Sequence, residues 1–424
     1  MRISSSLYFQ TGVNTINKQE SDLLHLFQQI GTGRRMVTAA DDPLAAAQSI
    51  TLAQSQSMNK RFGDNREVAL RALGESENVL GNVVGQLSAI KTRLIEAGNG
   101  ALSDQDRAAL AQVLAESQET LLGAMNATDA AGQYLFSGSQ GKNQPFALQG
   151  DQFVYQGDAG TQAARNIQVE HTRVIDVGNH GQDIFMRTAP GTMAFIHEGT
   201  QGNNGEAVLG TMQVSDSSKA SQVGHIAMQF VDNGVDGPHW QVEVFDTQGN
   251  TLTANPLEFA QAGSDKVQIN LKDDFGLSFT ISGQPQDGDE ATYSQAKQLN
   301  GDSRLNILNT LSTAIEALNT PTKGDPAAQA QLQNALNHAL QVVDVSYDNV
   351  LTVQASIGSR MNELESLNDS GSLQSLQLSK ELSRLEDVDY YTATTQLSLR
   401  SMALEAASLA FTKIQSTSLF SMGK

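Results

Sequence analysis

Apolar residues recur every three or four positions at both ends of the chain and every second position in the middle. Near the start, Val13, Ile16, Leu23, Phe27 and Ile30 are spaced by three, four or their sum, which predicts a helix that the Gly31-Thr32-Gly33 step ends. Asp41-Asp42-Pro43 reads as the next start signal. Asp42 supplies an N-cap carboxylate, and Pro43 fits the first helical position, where its missing N–H costs nothing. Leu73, Leu80, Val84, Leu87 and Leu94 then trace a seam of period near 3.5, the pattern of a helix packed on a partner over many turns. Gly98-Asn99-Gly100 closes it. Ser103 and Asp106 resemble a capping box, and Leu110, Leu114, Leu121 and Met125 carry the helix that follows.

The end of the chain answers the beginning. Asp325-Pro326 repeats the cap-then-proline start. Leu332, Leu336, Ala339, Val343, Ser346, Val350, Val353, Ile357, Met361 and Leu364 form a second seam. Gly371, in a Ser-rich stretch, is read as a break, with a last helix beginning near Leu373. That helix shows two adjacent apolar rows. Leu385, Val388, Leu399, Met402, Ala406 and Leu409 make one, and Leu397, Leu404, Phe411 and Ile414 make the other. Two rows mean that more than one face needs a partner.

Between these zones, Phe153–Tyr155, Asn166–Glu170, His225–Phe230, Trp240–Phe245, Lys266–Leu271 and Leu277–Ile281 read as short strands, with a turn at Asp246–Asn250. The fold class is therefore mainly α with an inserted all-β domain. The two seams pair as an antiparallel coiled-coil rod, and the middle forms a β-rich knob. The layout is three-part: residues 1–40 and 380–424 as a terminal helical domain, 41–144 and 299–379 as the rod, and 145–298 as the insert. Terminal helices with a second apolar face predict side-by-side assembly, with terminal segments that stay mobile until it occurs.

Composition narrows the chemistry. The 424 residues include no cysteine, which excludes disulfides, thiolate nucleophiles and thiolate metal sites. Only 5% are aromatic, with one tryptophan, and the net charge of -19 disfavours nucleic acid and anionic membranes as partners. The first residues lack the apolar core of a secretory signal, so export requires a route without a cleaved leader.

Several stretches resemble the flagellin-like family. Gln28–Arg35 followed by Ala40–Ala46 is similar to its N-terminal signature, and Asn99–Asp104 and Gly132–Ser139 continue the likeness. Ile357–Asn362, Leu385–Tyr390 and Ile414–Phe420 are similar to its C-terminal region. Pro43 after the Asp pair, the run Phe153–Gly160 and the ending are closer to the hook-filament junction branch than to filament flagellins. The likeness spans residues 1–180 and 299–424 and fades in the variable middle. It implies type III export through the flagellar channel and assembly as a homo-oligomeric ring. The neighbours would be another hook-associated protein and flagellin, with a dedicated export chaperone at the C-terminal helix. The location implied is the extracellular flagellum.

No catalytic constellation competes with this reading. His171, His180, His197, His225 and His239 lie in the middle zone without close pairs and without an HExxH motif, so neither metal nor cofactor is expected. Asp41 and Asp42 read as a cap rather than an acid–base pair. Asp232–Gly237 with Glu243 matches a calcium loop only in part: Gly234 and Pro238 occupy ligand positions, and the flanks are strands. Lys91, Arg93 and Arg107 read as solvated helix charges. Filament flagellin is the nearest alternative function. A surface adhesin is the other, and Trp240 would have to stack on its sugar, although it fits a small β core better.

Overall fold

The structure, a computed structural model, describes residues 2–158, 165–198, 203–232, 237–261, 265–296 and 302–421. In chain order the helices are α1 (Arg2–Thr32), α2 (Pro43–Ala97), α3 (Asp104–Met125), α4 (Gly181–Phe185), α5 (Ser217–Ala220), α6 (Lys272–Phe275), α7 (Ile307–Asn319), α8 (Pro326–Glu386) and α9 (Tyr390–Ser421). The strands are β1 (Phe146–Gln149), β2 (Gln152–Tyr155), β3 (Asn166–Gln168), β4 (Val174–Asp176), β5 (Phe195–Glu198), β6 (Val208–Leu209) and β7 (Gln213–Val214). They continue with β8 (Val223–Val231), β9 (His239–Asp246), β10 (Leu257–Ala260), β11 (Lys266–Leu271), β12 (Leu277–Ser282) and β13 (Glu290–Gln295). Helical ends thus enclose a β-rich middle, as the periodicities predict. Two compact units result, one of Met1–Asn65 with Ser366–Lys424 and one of Arg66–Glu365.

In the larger unit, α2 and α8 run antiparallel. Gln354 Nε2 donates to Glu77 Oε1 at 2.9 Å, and Lys91 Nζ meets Asp344 Oδ1 at 2.5 Å. The α2 seam is Ala69, Leu73, Ser76, Leu80, Val83, Leu87, Ile90, Leu94 and Ala97, each no more than 2% exposed. Steps of three and four alternate strictly along it. Val83 therefore replaces Val84, which is only half-buried. Either valine fits a 3.5 period with the leucines alone, and Ser76, Ile90 and Ala97 fix the register. On α8, Leu332, Leu336, Ala339, Val343, Ser346, Val350, Ile357 and Leu364 are buried to match. The Ser103 and Asp106 capping box closes as expected, each side chain bonded to the other's backbone. Arg107 departs from expectation. It is 7% exposed, donates to the Leu102 carbonyl and the Thr322 hydroxyl, and pairs with Asp104, so it ties α3 to the chain beyond α7.

Among the described residues the insert holds two antiparallel sheets and two hairpins. One sheet runs β10-β9-β8-β13-β5. The other runs β11-β12-β6, with β7 also on β12. Along β11, Val267, Ile269 and Leu271 are buried and the residues between them exposed, the alternation of a strand with one wet face. Both sheets fill one core around Trp240, Ile226, Phe279, Ile281 and Tyr293. Trp240 is fully buried, and its Nε1 donates to Gln261 Oε1 at 2.8 Å, so it has no face for a sugar. The Asp246–Asn250 turn forms with Asp246 Oδ1 accepting from the Gln248 and Asn250 amides. Most of the suspected calcium loop lies outside the described residues, at 233–236.

In the smaller unit, α1 and α9 pair antiparallel, and so do the first part of α2 and the last part of α8. Gln56 Nε2 donates to Ser379 Oγ at 2.9 Å, and Asn59 Nδ2 to the Gly371 carbonyl at 2.7 Å. The expected break at Gly371 is absent, because α8 runs unbroken to Glu386. A helical glycine costs about 1 kcal/mol. Gly371 is buried, and its carbonyl meets a side chain of the neighbouring helix, a tertiary contact that offsets this local cost.

Candidate assembly surface

The helix end comes instead at Asp387-Val388-Asp389. Asp389 caps α9, its Oδ1 accepting from the Tyr391 and Thr392 amides and its Oδ2 from the Thr392 hydroxyl. This turn is tied to the one between α1 and α2. The Arg35 amide donates to the Glu386 carbonyl at 2.6 Å, and the Val388 amide to the Gly33 carbonyl at 3.0 Å. Arg35 Nε reaches the Leu385 carbonyl at 3.1 Å, and Ser49 Oγ donates to Glu386 Oε1 at 2.7 Å. Gly33 takes φ +71°, a left-handed end to α1 that side chains rarely tolerate. Inside the first turn, Asp41 accepts from the Val37 and Thr38 amides and the Thr38 hydroxyl and lies 3.1 Å from His25 Nε2. These donors, the Thr38 amide first, hold its carboxyl at about 2. Asp42 Oδ1 accepts the Ala45 amide at 3.0 Å, and Pro43 is the first residue of α2.

Along the α1–α9 pair the two apolar rows separate. Leu397, Leu404 and Phe411 are half-buried and lie on the side of α9 that meets α1. There Arg400 pairs with Asp22, and the Phe411 ring sits 5.2 Å from Phe9. On α1, Val13, Ile16, Leu23 and Ile30 are half-buried. Gly12 permits the close approach, since a Cβ there would stand 2.9 Å from the Phe411 ring. Leu399, Met402 and Leu409 are 57%, 56% and 65% exposed, and Phe27 is 54% exposed. The row read as continuous from Leu385 to Leu409 is divided. Leu385 is buried at the end of α8, Val388 lies half-buried in the turn, and the remainder sits on α9. The Ile414 side chain is outside the described residues.

The unit as a whole has little interior. Its buried apolar side chains among the described residues are Leu26, Ala45, Phe62, Leu385 and Ala393. Among the described residues it exposes thirteen large apolar side chains, against eight on the larger unit, which has more than twice the residues. Water does not favour such a surface, and another protein surface can cover it. No helix among the described residues is long and apolar enough to cross a membrane.

The profile of the bacterial flagellin N-terminal helical region matches residues 3–141, and that of the C-terminal helical region matches residues 340–422, together just over half of the chain. Flagellar hook-associated protein 3 of Salmonella typhimurium is 25% identical over the whole length of both chains, and its Escherichia coli counterpart is equally similar. The chain belongs to the flagellin-like family of hook-associated protein 3. Crystal structures agree. Hook-associated protein 3 of Legionella pneumophila superposes with a TM-score of 0.65 at 28% identity, covering 79% of this chain and 98% of its own. FlgL of Xanthomonas campestris shares the fold, with a TM-score of 0.62 at 22% identity over 78% of this chain and 99% of its own. The relatives are flagellar structural proteins, components of an extracellular organelle.

Proposed function

We propose that the chain is the structural subunit that joins hook to filament, with α1 and α9 packing between copies in a ring. The exposed apolar residues of the terminal unit carry the reading, above all Leu399, Met402 and Leu409, each more than half open to solvent. A second solved structure from Legionella pneumophila, 28% identical to this chain, is that of a flagellar junction protein. The work proposed for this chain is mechanical, and the free energy comes from burying these rows between subunits rather than from catalysis. Residues 1–40 and 380–424 form the assembly domain, 41–144 and 299–379 the rod, and 145–298 the outer domain. Copies leave the cell by type III export, with a dedicated chaperone covering α9 beforehand. In the organelle they meet a second hook-associated protein on one side and flagellin on the other.

Electron microscopy of a strain lacking the gene, with flagellin assayed in the medium, tests this. Bare hooks with shed flagellin are expected. Normal filaments would overturn the reading in favour of a minor flagellin. Complementation with a Leu399→Asp, Met402→Asp and Leu409→Asp variant should leave the hooks bare.

A further inference from the structure

In the larger unit, a cavity of about 700 Å³ opens between β5, α7 and α8. Most polar groups on its wall are already engaged. Asn309 bonds both backbone groups of Phe153, and Asn334 bonds Leu209 N–H and the Ala207 carbonyl. The Thr310 hydroxyl donates to the carbonyl of Asn306, the cap of α7, and the Thr313 hydroxyl to that of Asn309. Arg304 is held by Asp302 and Glu198. His197 of β5 is different. It is 2% exposed, and neither ring nitrogen has a hydrogen-bond partner. Imidazole nitrogens buried in this way lose their bonds to water and gain none in return.

Beside it stands His338 of α8, with ring centroids 5.3 Å apart. His338 Nδ1 lies 2.8 Å from the His197 carbonyl, which can only accept, so Nδ1 carries the proton and Nε2 presents a lone pair. Metal-bound histidines are oriented in the same way, by a carbonyl on the second ring nitrogen. Two imidazoles on one tetrahedral zinc, with Zn–N of about 2.0–2.1 Å, stand roughly 5 Å apart centroid to centroid.

We propose that this cavity binds one divalent transition-metal cation through His197 and His338. The wall carries Glu198 and Glu316 against the single guanidinium of Arg304, which favours a cation over an anion. Imidazole nitrogen selects zinc, nickel or copper over calcium or magnesium. No cluster of three or more ligating side chains occurs among the described residues, so water completes the coordination and the ion exchanges readily. The ion staples the β-rich insert to α8, a link between positions 141 residues apart.

Titration of the purified full-length chain with Zn2+ alone, followed calorimetrically, should give one ion per chain. Co2+ should give the visible absorption of a site with nitrogen ligands. His338→Asn and His197→Asn should each weaken binding by about tenfold or more, while His239→Asn leaves it unchanged. Absence of binding by the wild-type chain, or binding unaltered in both cavity variants, overturns the proposal. Imidazole NMR on the wild-type chain decides the matter even if a variant fails to fold. The resonances that move with zinc should be those of His197 and His338, and shifts confined to other histidines would overturn it.

Discussion

Leu80 and Leu399 are the same side chain in opposite circumstances. Leu80 is fully buried in the α2 seam, and Leu399 is 57% exposed on α9. Truncating a buried leucine forfeits its transfer free energy and leaves a cavity, so Leu80→Ala should cost the isolated chain about 3 kcal/mol in denaturant unfolding. Leu399→Ala should cost about 0.5 kcal/mol or less and act on assembly instead. Equal losses would remove the distinction between core and assembly rows. Gly12 gives a second test, with two effects of opposite sign. Replacing it with leucine favours α1 as a helix but drives a side chain into the Phe411 ring. The chain has no cysteine of its own, so Asp22→Cys with Arg400→Cys gives a clean cross-link for α1–α9 pairing. Adding Gly12→Leu should slow that cross-link, and an unchanged rate would show that the helices tolerate the extra bulk. Single residues were also where sequence reading was weakest. Arg107 reads as a surface charge by type, and only the fold brings Thr322 beside it. His197 and His338 look isolated because 141 positions separate them.

Elements were legible where their signals are local. Pro43 after an acidic cap, the Ser103 capping box and the Gly33 stop all act within one helical turn, and each marks a real helix end. Gly371 misled because its environment is tertiary, a buried contact with Asn59. The true break follows Glu386, and its local signal is Asp389, the cap of α9, which was masked by the apolar run around it. The turn between α1 and α2 has a pH signature. Asp41 titrates at about 2 in the folded chain, below the ordinary 3.8. A carboxylate with a depressed folded value stabilises its turn fully above its unfolded pKa, and this contribution fades as the pH falls through the folded one. Amide exchange at Val37 and Thr38 should therefore accelerate between about pH 4 and pH 2 beyond the intrinsic rate. In Asp41→Asn that acceleration should vanish. A wild-type profile matching the variant's would show that Asp41 does not hold the turn.

At the scale of the molecule, the change from helical to alternating period and back was enough to place a β-rich insert between helical ends. Among the strands it missed, β5 and β13 hold few strong β-formers in a row; they are fixed by pairing with each other, and β13 also by pairing with β8. Periodicity also gave no measure of how unevenly the core is shared. Residues 66–365 contain nearly all the buried apolar side chains, and the terminal unit has five among the described residues. Stability follows buried area, so the two units should differ in their resistance to opening. Limited proteolysis of the full-length monomer should cut first within residues 1–65 and 366–424 and leave a resistant fragment close to 66–365. In polymerised material the same sites should be protected, because the rows that include Leu399 and Leu409 are then covered. Early cleavage inside 66–365 would place the weak region in the insert. Equal protection of the termini in monomer and polymer would mean that the terminal helices are complete without partners, and the case for assembly through them would fail.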